Sequence, residues 1–446
     1  MTFPFQIQTP PEHAASLPDR VDVVVIGGGI IGVMTAWELA KGGTSVVVLE
    51  KGRIGGEQSS RNWGWIRNQG RDPAEIAIMQ EAAAMWRQMA KDIPEDIGLR
   101  QTGVCYLAND PRGLDRFEAW LPYAKEHGLD TEVLSAKQTA RLIPDAAVAW
   151  AGALYTPSDM KAEPWIALPA IARAAVQTGV QIIEGCAVRG LDIAAGQVAG
   201  VITEKGRIAC SQTVLAGGAW SQLLLRRHGL SIPQLAVRAS VAATMPLDDV
   251  FQGGAVDNRL AFRRRADGGY TLAPEGFHEL YIGPDAFRAL AGYTKPLLQD
   301  PLGTRLLPAA PRGYPDAWGT PRRWDLDAVS PFERMRILNP QANKAKVAKL
   351  ARDFSATFPQ LGEVRIKTAW AGMIDTMPDV VPIVDRAPLG GLVVATGMCG
   401  HGFGIGPAFG RITARIVRGD APGYDMHRFR YGRFTDGSKL ALGPNL

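Results

Sequence analysis

Several things are scarce in this chain of 446 residues. Cysteine occurs four times, at Cys105, Cys186, Cys210 and Cys399, with no CxxC pair and no framework spacing. That excludes a disulfide-stapled scaffold and suits a reducing compartment. The six histidines are scattered, and no pair has metal-ligand spacing, so no metal is expected. No uninterrupted apolar run is long enough to span a membrane. The opening "MTFPFQIQTPPEHAASLPDR" lacks a basic start followed by an apolar run. It does not read as a signal peptide, and a cytoplasmic location is expected. There is no basic run and no arginine-rich helix, which excludes the nucleic-acid-binding classes. The net charge of +5 and pI near 9.0 are mild for this length. They reflect either a solvated surface or steering of small anions. Internal repeats and low-complexity tracts are also absent.

Glycine, by contrast, is abundant, with fifty residues, many in a few clusters where a ligand can approach the backbone. The length suits two domains, or one large domain with an inserted lobe. Hydrophobic residues at 46% and charged residues at 21% are ordinary for a globular chain.

The first strong motif is "VDVVVIGGGIIGVMTAWELAKGGTSVVVLE", residues 21 to 50. A β-branched run, buried on both faces if it is a strand, leads into Gly27, Gly29 and Gly32 in GxGxxG spacing. A helical pattern follows to about Lys41, then a second buried strand ends at Glu50. This βαβ unit reads as a dinucleotide site. Gly27 permits the tight turn, Gly29 lets a pyrophosphate approach, and Gly32 lets helix pack on strand. The N–H groups at Ile30 and Ile31 open the helix toward the diphosphate. Glu50 accepts ribose hydroxyls and repels a 2′-phosphate. The motif alone does not separate NAD from FAD.

Two further stretches select FAD. "SSRNWGWIRNQGRD", residues 59 to 72, follows the second strand and mixes flat aromatics with three arginines. A flavin laid along the sheet would put its ribityl chain and ring against this loop. Near the other end, "GGLVVATGMCGHGFGIGPAFG" gives a buried strand at 392 to 396, a glycine-rich loop, and a helix expected to begin near Pro407. Backbone N–H groups there suit the flavin edge that becomes negative on reduction.

Four blocks carry a family resemblance: "VVVIGGGIIG…VVVLEKG", "TVLAGGAWS", "WAGMIDTMPDVVPIVD" and "GHGFGIGPAFG". Together the sequence resembles the D-amino-acid-oxidase type of FAD-dependent oxidoreductases, a group that includes glycine oxidase, sarcosine oxidase and D-amino-acid dehydrogenase. The resemblance implies an α/β protein: a Rossmann-type FAD-binding domain interleaved with an α+β substrate lobe on a mostly antiparallel sheet. Residues 15–95, 157–235 and 365–420 would form the FAD domain, and 96–156 with 236–364 the lobe. Residues 1–14 and 421–446 would be terminal extensions. Within the lobe, "FRRRADGGYTLA" reads as a hairpin turning at Asp267-Gly268-Gly269, and 301–324 as an irregular loop.

The resemblance also implies a site. Ser59, Ser60, Arg61 and Asn62 match the positions where the family contacts flavin phosphate and ribityl oxygens; ordinary loop bonding is the alternative. Lys51, Gly217, Trp220 and Gly372 lie in the shared blocks and are expected at the cofactor, with Val188 at the adenine. Gly400, His401, Gly402, Phe403 and Gly404 are expected beside the ring, His401 touching ring or substrate. Trp63 and Trp65 either wall the ring and substrate pocket or pack lobe on lobe. Arg67 occupies the place of a substrate-carboxylate clamp, unless it pairs with Asp72 or Glu75. Tyr270 and Tyr281 are candidates to reach the substrate from the covering sheet, or are core. Arg263, Arg264 and Arg265 offer further anion-binding charge, or read more simply as a solvated hairpin.

No cysteine stands in "TAWAGM", where sarcosine-oxidase-like members bind FAD covalently, so noncovalent FAD is expected. That subgroup also carries a lysine over the flavin, where this chain has Thr271 by rough register, and a second carboxylate-binding lysine, where Gly404 stands. The expected activity is oxidation of the C–N bond of a small carboxylated amine. An N-substituted glycine, an imino-diacid such as iminodiacetate, or an amino acid would give a 2-oxo acid such as glyoxylate, or an aldehyde. Oxygen is the expected acceptor and homo-oligomerisation is open. The alternatives are a D-amino-acid or hydroxyproline dehydrogenase feeding a quinone, a polyamine-type oxidase, and a non-catalytic flavin-binding subunit of a larger complex.

Overall fold

The structure, a computed structural model, describes residues 3–276, 278–299 and 303–443. Residues 1–2 and 444–446 of the expected extensions, and 277 and 300–302 of the expected lobe, lie outside the described residues.

The β-branched run after Val21 forms the strand Val23–Ile26, which pairs in parallel with Val46–Glu50. The helix Ile30–Lys41 joins them and is stopped by Gly42 and Gly43, where a φ of +78° favours glycine. Val23–Ile26 pairs on its other side with Gln212–Leu215, which pairs with Leu392–Thr396. Gln181–Glu184 and the antiparallel Ile383–Arg386 close a six-stranded sheet among the described residues. Both faces are covered, as parallel strands require. Val23, Val25, Val46 and Val48 face a helical layer, while Val24, Val47 and Leu49 face the opposite one. That opposite layer includes the antiparallel strands Val188–Ala194, Gln197–Thr203 and Gly206–Ala209.

A larger, mostly antiparallel sheet stands beside it. Its long strand Leu235–Thr244 pairs with Tyr270–Pro274 and with the 11-residue strand Ile366–Thr376. The expected hairpin is present, with Leu260–Arg264 against Tyr270–Pro274 and Gly268 at φ +80° in the turn. Residues 366–376, assigned from the sequence to the FAD-binding domain, hydrogen-bond into the large sheet. The reason is backbone satisfaction: a ten-residue strand at 235–244 offers a long unpaired edge that short nucleotide-sheet strands cannot match. Within the expected irregular loop, Thr304–Leu307 forms a short strand on His278–Tyr281.

The glycine-rich C-terminal helix also differs from expectation. It runs Gly402–Arg418, so it begins before Pro407, which sits inside it. The glycines there are a packing surface more than a loop. A Cβ on Gly410 would lie 2.5 Å from that of Met34, and one on Gly406 2.8 Å from Ile30. Their absence lets this helix lie directly on Ile30–Lys41.

Candidate functional site

A cavity of about 400 Å³ runs between the C-terminal ends of the parallel strands and one face of the large sheet. At one end stands the glycine turn. Gly27 has φ +114°, and a side chain there would strike the Ala216 carbonyl. Gly32 does not line the cavity; a Cβ on it would strike the Gly27 carbonyl, so it serves helix-on-turn packing. The helix from Ile30 has no side-chain cap, and the Ile30 N–H reaches Ser59 Oγ at 3.0 Å. Glu50 accepts from the Gly28 N–H at 2.8 Å and the Gly52 N–H at 2.6 Å. Burial pushes its carboxyl pKa up, against the pull of Lys51 and those two N–H groups. Lys51 lies over the Trp220 ring and donates to Glu57 at 2.9 Å, while Trp220 Nε1 donates to Glu57 at 3.0 Å. Val188, Gly217 and Trp220 line this end. A diphosphate fits the uncapped helix start, and a ribose fits the Glu50 carboxylate. These residues therefore suit FAD.

The short helix Gln58–Arg61 lies along the middle. Ser59, Arg61 and Asn62 line the cavity. Ser60 does not: it is wholly buried, its hydroxyl donates to Glu57 O at 3.2 Å, and its carbonyl accepts from Trp165. The helix turns Ser60 away from the face that Ser59 presents. Arg61 donates to Ala371 O at 2.7 Å, to Asn339 and to Gly56 O, which ties the loop to the 366–376 strand. Burial lowers its pKa to about 10. Gly372 lines the cavity beside it, where a Cβ would come 3.2 Å from that of Arg61. Trp63 and Trp65 meet edge-to-face at 5.1 Å, so they wall the cavity and pack on each other. Cys399 also lines the cavity, but its thiol donates to Gly397 O at 3.0 Å and burial pushes its pKa up. That thiol is poorly disposed to become a thiolate.

At the far end Arg67 lies 9% exposed, its guanidinium 5.5 Å from the Tyr106 ring centre. It donates to Gln69 O and has no ion-pair partner among the described residues. The two acids that were its alternative partners are taken: Glu75 pairs with Arg71 at 3.3 Å, and Asp72 with Arg428 at 2.9 Å. Arg71 is fully buried rather than at the surface, and also donates to the carbonyls of Arg67 and His401. It holds the loop and the glycine helix together. His401 is the residue before that helix, and the residues 400 to 404 line the cavity as a group. Burial, with the charges of Arg67 and Arg71, holds the His401 imidazole neutral at physiological pH.

Four residues weighed from the sequence lie off the cavity wall. Tyr270 is completely buried against Phe262 and Phe354, and its hydroxyl accepts from the Val250 N–H at 2.9 Å. Strand alternation explains this: Tyr270 and Leu272 face the helix Lys344–Thr357, while Ala273 faces the other way. Tyr281 packs edge-on with Tyr314 and accepts from Arg238 at 3.0 Å, off the cavity wall. Arg263 and Arg265 are buried rather than solvated, paired with Glu163 and Asp267.

Other residues were not anticipated. Asp159, fully buried, accepts from the Asn68 N–H at 2.7 Å and from Asn68 Nδ2 at 3.1 Å, fixing the loop beside Arg67. Burial raises its pKa to about 6. Glu57, Tyr106, Glu275 and His278 line the cavity. Glu275 had a legible signal: it is an acid immediately past a strand end, on the opposite alternation from Tyr270.

A family model described as FAD dependent oxidoreductase (DAO) matches residues 22–416. The structure resembles that of L-amino acid deaminase from Proteus myxofaciens in complex with anthranilate, at 32% identity and TM-score 0.90, covering 95% of this chain and 96% of that one. Sarcosine oxidase subunit beta of Rhizobium meliloti is 26% identical, covering 93% of this chain and 89% of its own. Glycine oxidase of Geobacillus kaustophilus is 25% identical, covering 93% and 97%. The family model spans most of the chain, from the glycine turn through the glycine-rich helix, and the chain belongs to the DAO family of FAD-dependent oxidoreductases.

Proposed function

We propose that the protein oxidises the C–N bond of an amino acid, primary or N-substituted, that carries one carboxylate near the reacting carbon. The observation that carries this is Arg67: a guanidinium on the cavity wall with no carboxylate partner among the described residues. A planar fork of N–H donors suits a carboxylate through two parallel bonds. Bound FAD supplies the hydride acceptor. Arg67 holds the substrate carboxylate, Trp65 and Tyr106 supply apolar walls, and neutral His401 adds no competing charge. The imine product hydrolyses in water to a 2-oxo acid or aldehyde. The relative bound to anthranilate, which joins a carboxylate and an amine on one ring, supports the same pairing.

The expected taste for di-acids loses support, because Arg71 is committed to Glu75 and the 263–265 arginines are paired or engaged off the cavity. A polyamine-type substrate is disfavoured by the same Arg67. FAD is held noncovalently in this reading, since Cys399 is a bonded, buried thiol. Oxygen is the proposed acceptor, giving peroxide. Anaerobic bleaching of the flavin by a panel of amines tests the reading directly. Bleaching by monocarboxylate amino acids, but not by polyamines, supports it; no bleaching by any carboxylated amine ends it. A peroxide assay under air separates oxygen from another acceptor.

A further inference from the structure

Beside Arg67 the cavity wall holds a second ionisable group with no ion-pair partner among the described residues. Glu275 follows the strand Tyr270–Pro274, and Gly276 beside it has φ +57°, which ends the strand in a tight turn. Strand alternation aims Tyr270 and Leu272 into the core on one side of the sheet. Carried one residue past the strand, the same alternation turns Glu275 to the cavity side, and it lines the cavity together with Arg67, Tyr106 and His401. Arg67 and Glu275 influence one another electrostatically, and Tyr106 feels both. They form no direct ion pair among the described residues, and Glu275 accepts no hydrogen bond there from another side chain or backbone group. A guanidinium and a carboxylate that face one cavity without closing on each other leave room for a ligand bearing the opposite pair of charges. An amino-acid zwitterion is such a ligand.

We propose that Glu275 is the group that binds the substrate's ammonium and receives its proton. The inference rests on the amino-acid reading above and adds the partner for the nitrogen. The substrate –NH3+ gives one proton to a Glu275 carboxylate oxygen. The nitrogen keeps its electron pair, as C–N oxidation requires, and Glu275 becomes a neutral carboxylic acid. It returns that proton to water after product leaves, so no other reactant is needed. The environment suits the task. Burial pushes the Glu275 carboxyl up to about 7, partly offset by Arg67 and reinforced by Asp257. The remaining polar wall is Arg71, His401, Tyr106 and His278. Arg71 is neutralised by Glu75, and His401 is held uncharged.

The test uses the FAD-loaded protein and two probes that cannot be oxidised. 2-Aminoisobutyrate carries the ammonium and carboxylate but no hydrogen on the reacting carbon; isobutyrate lacks the amine. Binding is read from perturbation of the flavin absorbance spectrum, with flavin content confirming that each variant is folded. The wild type should bind the amine-bearing probe about tenfold tighter or more. Glu275→Gln should bind the two nearly equally while keeping its affinity for isobutyrate, and Glu275→Asp should restore part of the preference. In turnover, the acid limb of kcat/KM should move in Glu275→Gln toward the amine pKa of the free substrate. A Glu275→Gln protein that keeps the tenfold preference, or a wild type that has none, overturns the proposal. Arg67→Ala separates the two readings: if it leaves isobutyrate affinity intact, the carboxylate clamp fails, whatever Glu275 does.

Discussion

Arg67 owes its availability to its neighbours. Asp159 fixes Asn68 and Gln69, Arg71 takes Glu75 and the Arg67 carbonyl, and the guanidinium is left facing the cavity. Losing a charge-assisted clamp costs about 2–3 kcal/mol, so Arg67→Ala should lower kcat/KM by roughly 100-fold. Steady-state kinetics with flavin content unchanged would check it, and a KM within twofold of wild type would count against the clamp. His228 offers a stability prediction. Its Nε2 accepts the Leu191 N–H at 2.9 Å, and burial, then Arg227, lower its pKa to about 4. A base with a depressed folded pKa contributes stability that is complete above its unfolded pKa of 6.5 and is lost as pH falls through 4. Thermal melts should therefore lose up to about 3 kcal/mol across that window from this group. His228→Gln should flatten that part of the profile; an identical slope in the variant would refute the assignment.

At the scale of elements, the two glycine-bearing helices do different work. Ile30–Lys41 begins at the cavity wall with no side-chain cap, whereas Gly402–Arg418 uses its glycines to approach the first helix closely. Gly410→Val should be destabilising by about 3 kcal/mol, because its Cβ must displace Met34 and Thr35 backbone and side-chain atoms. Chemical denaturation would measure this, and since Gly410 is off the cavity, FAD affinity of the folded fraction should be unchanged. The βαβ unit was legible because periodicity, glycine spacing and the acid at the strand end all agree. The helix start at Gly402 was not, since glycine reads as loop unless the surface it packs on is known. Tyr270 stayed open between substrate contact and core for a related reason. Its aromatic hydroxyl suggested a ligand contact, but which face of a strand meets the cavity depends on the sheet's neighbours.

For the whole molecule, the cavity lies between two sheets, and a cofactor held in it would bridge them. Removing FAD should lower Tm and raise protease sensitivity, and free FAD at 100 times its Kd should restore about 2.7 kcal/mol. An apo protein that melts with the holoenzyme would show that the cofactor is not part of the structural junction. The sequence by itself determined the dinucleotide unit, the hairpin, the glycine-rich end and the arginine-bearing loop. These depend on local spacing and on which backbone conformations each residue allows. Only the tertiary structure decided that residues 366–376 pair with 235–244, that Arg71 is spent on Glu75, and that Glu275 shares a wall with Arg67. Those facts depend on pairings between residues far apart in the chain, and a single residue's alternation can send a side chain to the core or to the cavity.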